Sequence, residues 1–163
     1  MKNSQLERLV SALVQTNTKL SESEAKCPIK FSYALARNMT IAGKSFDSMM
    51  ADRKDLLKSF CKTTKEGEIA TETFVLNQDA IDAQVEGEGE PINPIVQERI
   101  SFSSKKKEEE ANEAMSIFMN EEVEIELYKF PDLQEWAEEN DSVSDHSVLN
   151  LMFSITDIVN NID

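Results

Sequence analysis

FMNEEVEIELYKF, residues 118–130, sets Glu122, Glu124 and Glu126 on one side of an extended pleat and Val123, Ile125 and Leu127 on the other. Strict alternation of this kind is the pattern of a half-buried strand, with one face in water and the other against a core. We therefore expect a strand over 122–128. Upstream, residues 105–120 open on KKKEEE and then place Ala111, Ala114, Met115 and Phe118 on one helical face. Lysines at the start of a helix oppose its dipole, which would put the true start later than Lys105. Downstream, Pro131 ends the extended segment, and Leu133, Trp136 and Ala137 suit a short helix. A last helix, capped by Ser142 or Ser144, carries Val148, Leu151, Met152, Ile155, Val159 and Ile162 on a broad apolar stripe.

The first half reads as helix. Leu6, Leu9, Val10, Leu13 and Val14 follow the three-and-four spacing of one face and predict a helix over 3–16. After a polar, turn-prone stretch, Pro28 stands where a new helix accepts it in its first turn. From Ile29, the positions Leu35, Met39, Ala42, Phe46, Met49, Leu56 and Phe60 keep a heptad-like seam, interrupted only by Arg53. That predicts a single helix of about 33 residues packed along another helix, with Gly43 as the point where it would bend. The seam suits packing within the same domain or a dimeric coiled coil.

Residues 63–67 break this helix, and two short stretches with β character follow, 72–76 and 99–103. These are expected to pair as a ribbon and, with 122–128, to form a small antiparallel sheet. Between them, 77–98 reads as an exposed acidic insertion loop, and residues 77–94 hold five carboxylates and no base. Their spacing does not follow a twelve-residue EF-hand loop, so no metal site is expected there.

The formal charge of −14 is unevenly distributed. Residues 1–62 carry eleven Lys and Arg against six Asp and Glu, a net of +5, and residues 63–163 carry six against twenty-five, a net of −19. An acidic excess of this size repels nucleic acid and anionic membrane on average. It suits a solvated surface, a mimic of a phosphate backbone, or contact with the basic end of another copy. Residues 1–20 hold no continuous apolar run, and nowhere do about 18 uninterrupted apolar residues occur. Neither secretion nor a membrane span is expected, and a cytoplasmic location is. Cys27 and Cys61, separated by one long helix, would lie about 50 Å apart, far beyond the reach of a disulfide.

No glycine-rich phosphate loop, nucleophile elbow or zinc-like Cys/His spacing is present. The lone histidine, His146, follows Asp145 near a helix start and suits capping or the surface. No catalytic residue, cofactor or metal is expected, and direct nucleic-acid binding is not. The expected interaction residues are Glu86, Glu88 and Glu90 in the loop, and Glu122, Glu124 and Glu126 on the strand.

Three passages, CPIKFSYALARNM (27–39), ADRKDLLKSFCKTTKEGEI (51–69) and NEAMSIFMNEEVEIELYKF (112–130), together resemble a group of small phage- and prophage-encoded proteins of unknown function. In that group a short helix precedes a long Arg-Lys-Leu-Leu helix, a brief β excursion and an Asn-Glu-Glu-Val-Glu-Ile-Glu strand. Residues 77–98 depart from it as an insertion in a normally short hairpin. The resemblance carries no site residues. It implies a phage accessory or morphogenetic protein without a catalytic role.

The expectation is thus one α+β, mainly helical domain over 1–163, with a long helical hairpin, a small antiparallel sheet and C-terminal helices. Its function would be protein–protein contact in or around virion assembly, as a homo-oligomer, in the host cytoplasm or the virion. The alternative is an acidic inhibitor that binds a host protein as a nucleic-acid mimic or anti-defence factor. A small-ligand module with a pocket between subunits is a third class.

Overall fold

The computed structural model describes residues 1–23, 26–76, 93–139 and 146–162. Five helices and two strands occur among them, in the order α1 (Asn3–Glu22), α2 (Ile29–Lys58), β1 (Thr71–Val75), β2 (Val96–Ile100), α3 (Lys105–Asn120), α4 (Gln134–Glu139) and α5 (His146–Asn160). The fold is α+β and mainly helical. The chain divides into two compact units, one of Met1–Arg53 with Ser116–Asp163, the other of Lys54–Met115.

In the first unit, α1 packs along α5. Leu6, Leu9 and Leu13 on α1 and Val148, Met152, Ile155 and Val159 on α5 are buried, so these positions of the two apolar stripes face the core, while Val14, read as part of the first stripe, is 49% exposed at its margin. Helix α1 runs six residues past the expected end at residue 16. Thr16 explains part of this, since its buried hydroxyl donates to the Ala12 carbonyl at 2.8 Å and so remains satisfied within the helix. Lys19 then sits in the last turn, where a cation suits the dipole, and pairs with Glu22 at 3.2 Å.

Helix α2 contributes Phe31, Ala34, Leu35, Ala42 and Met49 to this core. An ion pair of 3.7 Å joins Arg53, late in α2, to Glu7, early in α1. Gly43 remains helical, and a methyl group built on it meets nothing within 4 Å. Gly43→Ala should therefore raise the unfolding free energy by about 0.5–1 kcal/mol through backbone entropy alone. Urea denaturation checks this, and a loss of stability would mean that the glycine is needed for its shape.

The second unit is built on a turn and a ribbon. Gly67 takes φ of +80°, which a side chain would strain, and its N–H donates to the Thr64 carbonyl at 3.0 Å. The chain then returns as β1, which pairs antiparallel with β2 from Thr71↔Ile100 to Val75↔Val96. Glu72 and Arg99 are directly opposite and form an ion pair of 2.8 Å. The second strand lies three residues earlier than the expected 99–103. Ser101 instead donates its N–H to Ala70 and accepts from Lys62, while Phe102 bridges to Cys61. Residues 96–98, expected within the acidic loop, are consequently strand, and residues 77–92 lie outside the described residues.

Two further expectations are corrected. Among the described residues the sheet has two strands, and residues 122–128 are not a third. Helix α3 begins at Lys105 despite its lysines, because the Ser104 hydroxyl accepts from the Lys107 N–H at 3.2 Å. Glu110 then draws in Lys107 at 2.7 Å and Lys106 at 3.8 Å, and the Lys107 ammonium holds the Glu110 carboxyl below its ordinary range.

Candidate functional site

Residues 121–130 of the first unit form an extended segment that belongs to no sheet. Its burial nevertheless alternates as the sequence requires: Val123, Ile125 and Leu127 are half-buried, and Glu122, Glu124 and Glu126 are exposed. The reason that no sheet is needed lies in the backbone partners. At one end the segment pairs with residues 1–3. The Val123 N–H donates to the Met1 carbonyl at 2.7 Å, the Met1 ammonium donates back to the Val123 carbonyl at 3.1 Å, and Lys2 bridges to Glu122.

At the other end two asparagine side chains take the place of a neighbouring strand. Asn38 Nδ2 donates to the Tyr128 carbonyl at 2.8 Å, and its Oδ1 accepts from the Tyr128 N–H at 2.7 Å. Asn160 repeats the arrangement on Phe130, accepting from its N–H at 2.9 Å and donating to its carbonyl at 3.2 Å. A primary amide holds one donor face and one acceptor in a plane, as a peptide group does, so it satisfies both backbone groups of a residue at once. A third asparagine, Asn3, donates to the Phe118 carbonyl at 2.8 Å and fixes the end of α3. The Lys129 ammonium reaches the Asn160 carbonyl at 2.6 Å, at the negative end of α5.

Between these anchors, the backbone N–H and C=O groups of Glu124, Ile125, Glu126 and Leu127 make no hydrogen bond among the described residues. Two grooves border them. One, of about 480 Å³, is lined by Met1, Ile162 and residues 122–126, and the other, of about 510 Å³, by Arg37, Ile41 and residues 126–129. Tyr128 lines the second, with its ring edge-on to Tyr33 at 6.0 Å and under the Arg37 guanidinium at 5.2 Å. Arg37 also donates to the Tyr128 hydroxyl at 3.2 Å, a contact that raises its pKa further.

Three of the six expected interaction residues, Glu122, Glu124 and Glu126, are therefore brought together on one exposed face, and none forms an ion pair among the described residues. Glu86, Glu88 and Glu90 lie outside the described residues, as do Ser142 and Ser144. No group of three or more His, Cys, Asp or Glu suited to a metal ion occurs among the described residues. His146 is exposed at the first position of α5. Both thiols are free, and burial pushes that of Cys61 up, away from the thiolate that nucleophilic chemistry needs. No described helix is long and apolar enough to cross a membrane.

Sequence reasoning missed Asn38 and Asn160. Asn38 did leave a trace, because it lies three residues after Leu35 and four before Ala42, a polar side chain on an otherwise apolar face. The arrangement as a whole offers carboxylates, backbone with no partner among the described residues and shallow grooves of mixed polarity, the groups through which a protein recognises another polypeptide. Compared with known proteins, the chain matches no family model and shows no similarity to a curated protein or a solved structure.

Proposed function

We propose that this is a non-enzymatic protein that acts through contact with other protein chains, first of all with its own copies. The observation that carries this reading is the apolar strip on one face of the ribbon. Phe74 in β1, and Leu76 and Ile95 just beyond the paired ends of β1 and β2, remain 43, 56 and 56% exposed, and the Leu76 N–H donates to the Ile95 carbonyl at 2.8 Å. Contiguous apolar exposure of this kind costs solubility and marks contact surfaces more often than chance placement does. Among the described residues, the Arg99 guanidinium, 4.8 Å over the Phe74 ring, shields it in part. The resemblance to phage-encoded proteins extends the reading to an accessory or assembly role, in the host cytoplasm or the virion.

Size-exclusion chromatography with light scattering tests it. The wild-type chain should form a defined oligomer, and Phe74→Ser with Ile95→Thr should reduce it to a monomer with unchanged circular dichroism. A wild-type chain that stays monomeric at high concentration defeats the self-association, and absence from purified particles of the phage that encodes it defeats the virion role.

A second reading, an acidic inhibitor of a basic host protein, is favoured by one feature: the exposed face of Glu122, Glu124 and Glu126, which has no ion partner among the described residues. It predicts capture that weakens steeply with salt.

A further inference from the structure

We propose that the free edge at residues 124–127 is a docking site for an extended segment of another polypeptide in which lysine or arginine alternates with apolar residues. The segment would add as an antiparallel strand beside Ile125 and Leu127, continuing the line of pairing that Met1 begins. This rests on the first unit alone and is independent of self-association through the ribbon.

Backbone direction identifies the edge. Val123 exchanges both of its hydrogen bonds with Met1, so its N–H and C=O face the Met1 side. In an extended chain these groups point alternately left and right, so those of Ile125 and Leu127 face the Met1 side too. Tyr128 supports the parity from the other direction, since an even-numbered residue should face away from Met1, and both of its groups go to Asn38 on α2. Pairing therefore exists from Glu121 to Val123, and the next groups on that side have no partner among the described residues. Unpaired strand edges are templates for an incoming strand, whose main chain supplies affinity while alternate side chains supply specificity.

The flanking side chains specify the occupant. Residues of an incoming strand opposite Glu124 and Glu126 would meet exposed carboxylates with no ion partner among the described residues, and opposite charges across a ladder are stabilising. The register already in place sets this pattern, because Lys2 is the residue opposite Glu122, although its ammonium reaches Asn120 at 3.1 Å. Alternate residues of the ligand would fall on the side of Ile125, which lines the 480 Å³ groove together with Met1, Val123, Ile162 and the three glutamates. That groove shares Met1 and Ile162 with a larger one of about 630 Å³ beside Leu9 and Ile158, so apolar side chains have somewhere to go. A second copy of the same segment is a poor occupant. Antiparallel self-pairing sets glutamates across from glutamates on one face, and like charges in that position repel.

The test uses the intact chain and a short synthetic peptide of alternating lysine and valine, with NMR-detected hydrogen exchange. The peptide should bind at low salt and slow exchange at the Ile125 and Leu127 amides by about tenfold or more. Binding should weaken by about three- to tenfold in the Glu124→Gln, Glu126→Gln double variant, whose changes are on the exposed face. A peptide N-methylated on its pairing edge should fail to protect these amides. Absence of binding at low salt, binding without slowing of these two amides, or equal affinity of the N-methylated peptide would each overturn the proposal. So would protection that appears with rising protein concentration and no peptide, which would make a second copy the occupant.

Discussion

Phe31→Ala should lower the unfolding free energy by about 3–5 kcal/mol, the largest loss expected from any single change in this chain. Phe31 is 0% exposed and lies 4.7 Å from the Phe130 ring, centroid to centroid, with 30° between the planes. Phe130 is itself buried, and its backbone N–H and C=O are both held by Asn160. The neighbours cannot close over the space left by the missing ring without breaking that clamp, so most of the cavity should persist. Trp136 is the sole tryptophan and belongs to the same unit, so its fluorescence in urea reports the transition directly. Phe31→Leu should cost less, about 1–2 kcal/mol, because much of the volume remains. A loss below about 1 kcal/mol for the alanine variant would show that the two rings do not anchor this core.

Asn38→Ala comes next, at about 2–4 kcal/mol. Asn38 is 0% exposed, and its removal strips the Tyr128 N–H and C=O of their only partners among the described residues. Each stranded group retains its desolvation cost, which makes truncation more damaging than the apolar contact area suggests. Asn38→Asp separates hydrogen bonding from volume. An ionised carboxylate keeps the acceptor for the Tyr128 N–H but faces the Tyr128 carbonyl with an oxygen where a donor stood. Burial and that carbonyl raise its pKa in the folded state above the unfolded value of about 3.9. A raised pKa contributes stability that is complete below the unfolded pKa and is lost as pH rises through the folded one. The aspartate variant should therefore approach wild-type stability in acid and fall away towards neutrality, relative to wild type at each pH. A pH-independent difference between the two would mean that the side chain is not held against Tyr128.

The stretch 118–130 shows what could be read in advance and what could not. Alternation of glutamate with valine, isoleucine and leucine states that one face is wet and the other buried, and the burial of residues 122–127 follows it residue by residue. Alternation does not say who satisfies the backbone. Two amide side chains and Met1 do so in place of a ladder, and an isolated asparagine gives almost no periodic signal. Apolar stripes on α1, α2 and α5 were legible because burial at three-and-four spacing is a property of the helix itself. The polar end of α1 was not, since the back-bonded Thr16 hydroxyl makes a polar residue compatible with a buried helical position. The ribbon was legible as a pair but misplaced by three residues at β2. Phe102 has the β character of a strand residue, yet its pairing is a single bridge to Cys61.

The pairing of Met1 with Val123 has a practical side for anyone producing the protein. A purification tag or reporter joined through Met1 would turn its ammonium into an amide that still donates to the Val123 carbonyl. Antiparallel direction then leads the added residues straight along Glu124 to Leu127. A basic, flexible leader would act as a tethered competitor at high effective concentration and hide the edge from any assay. Binding screens on this chain should therefore use a cleaved amino terminus, and a fusion left in place would return false negatives.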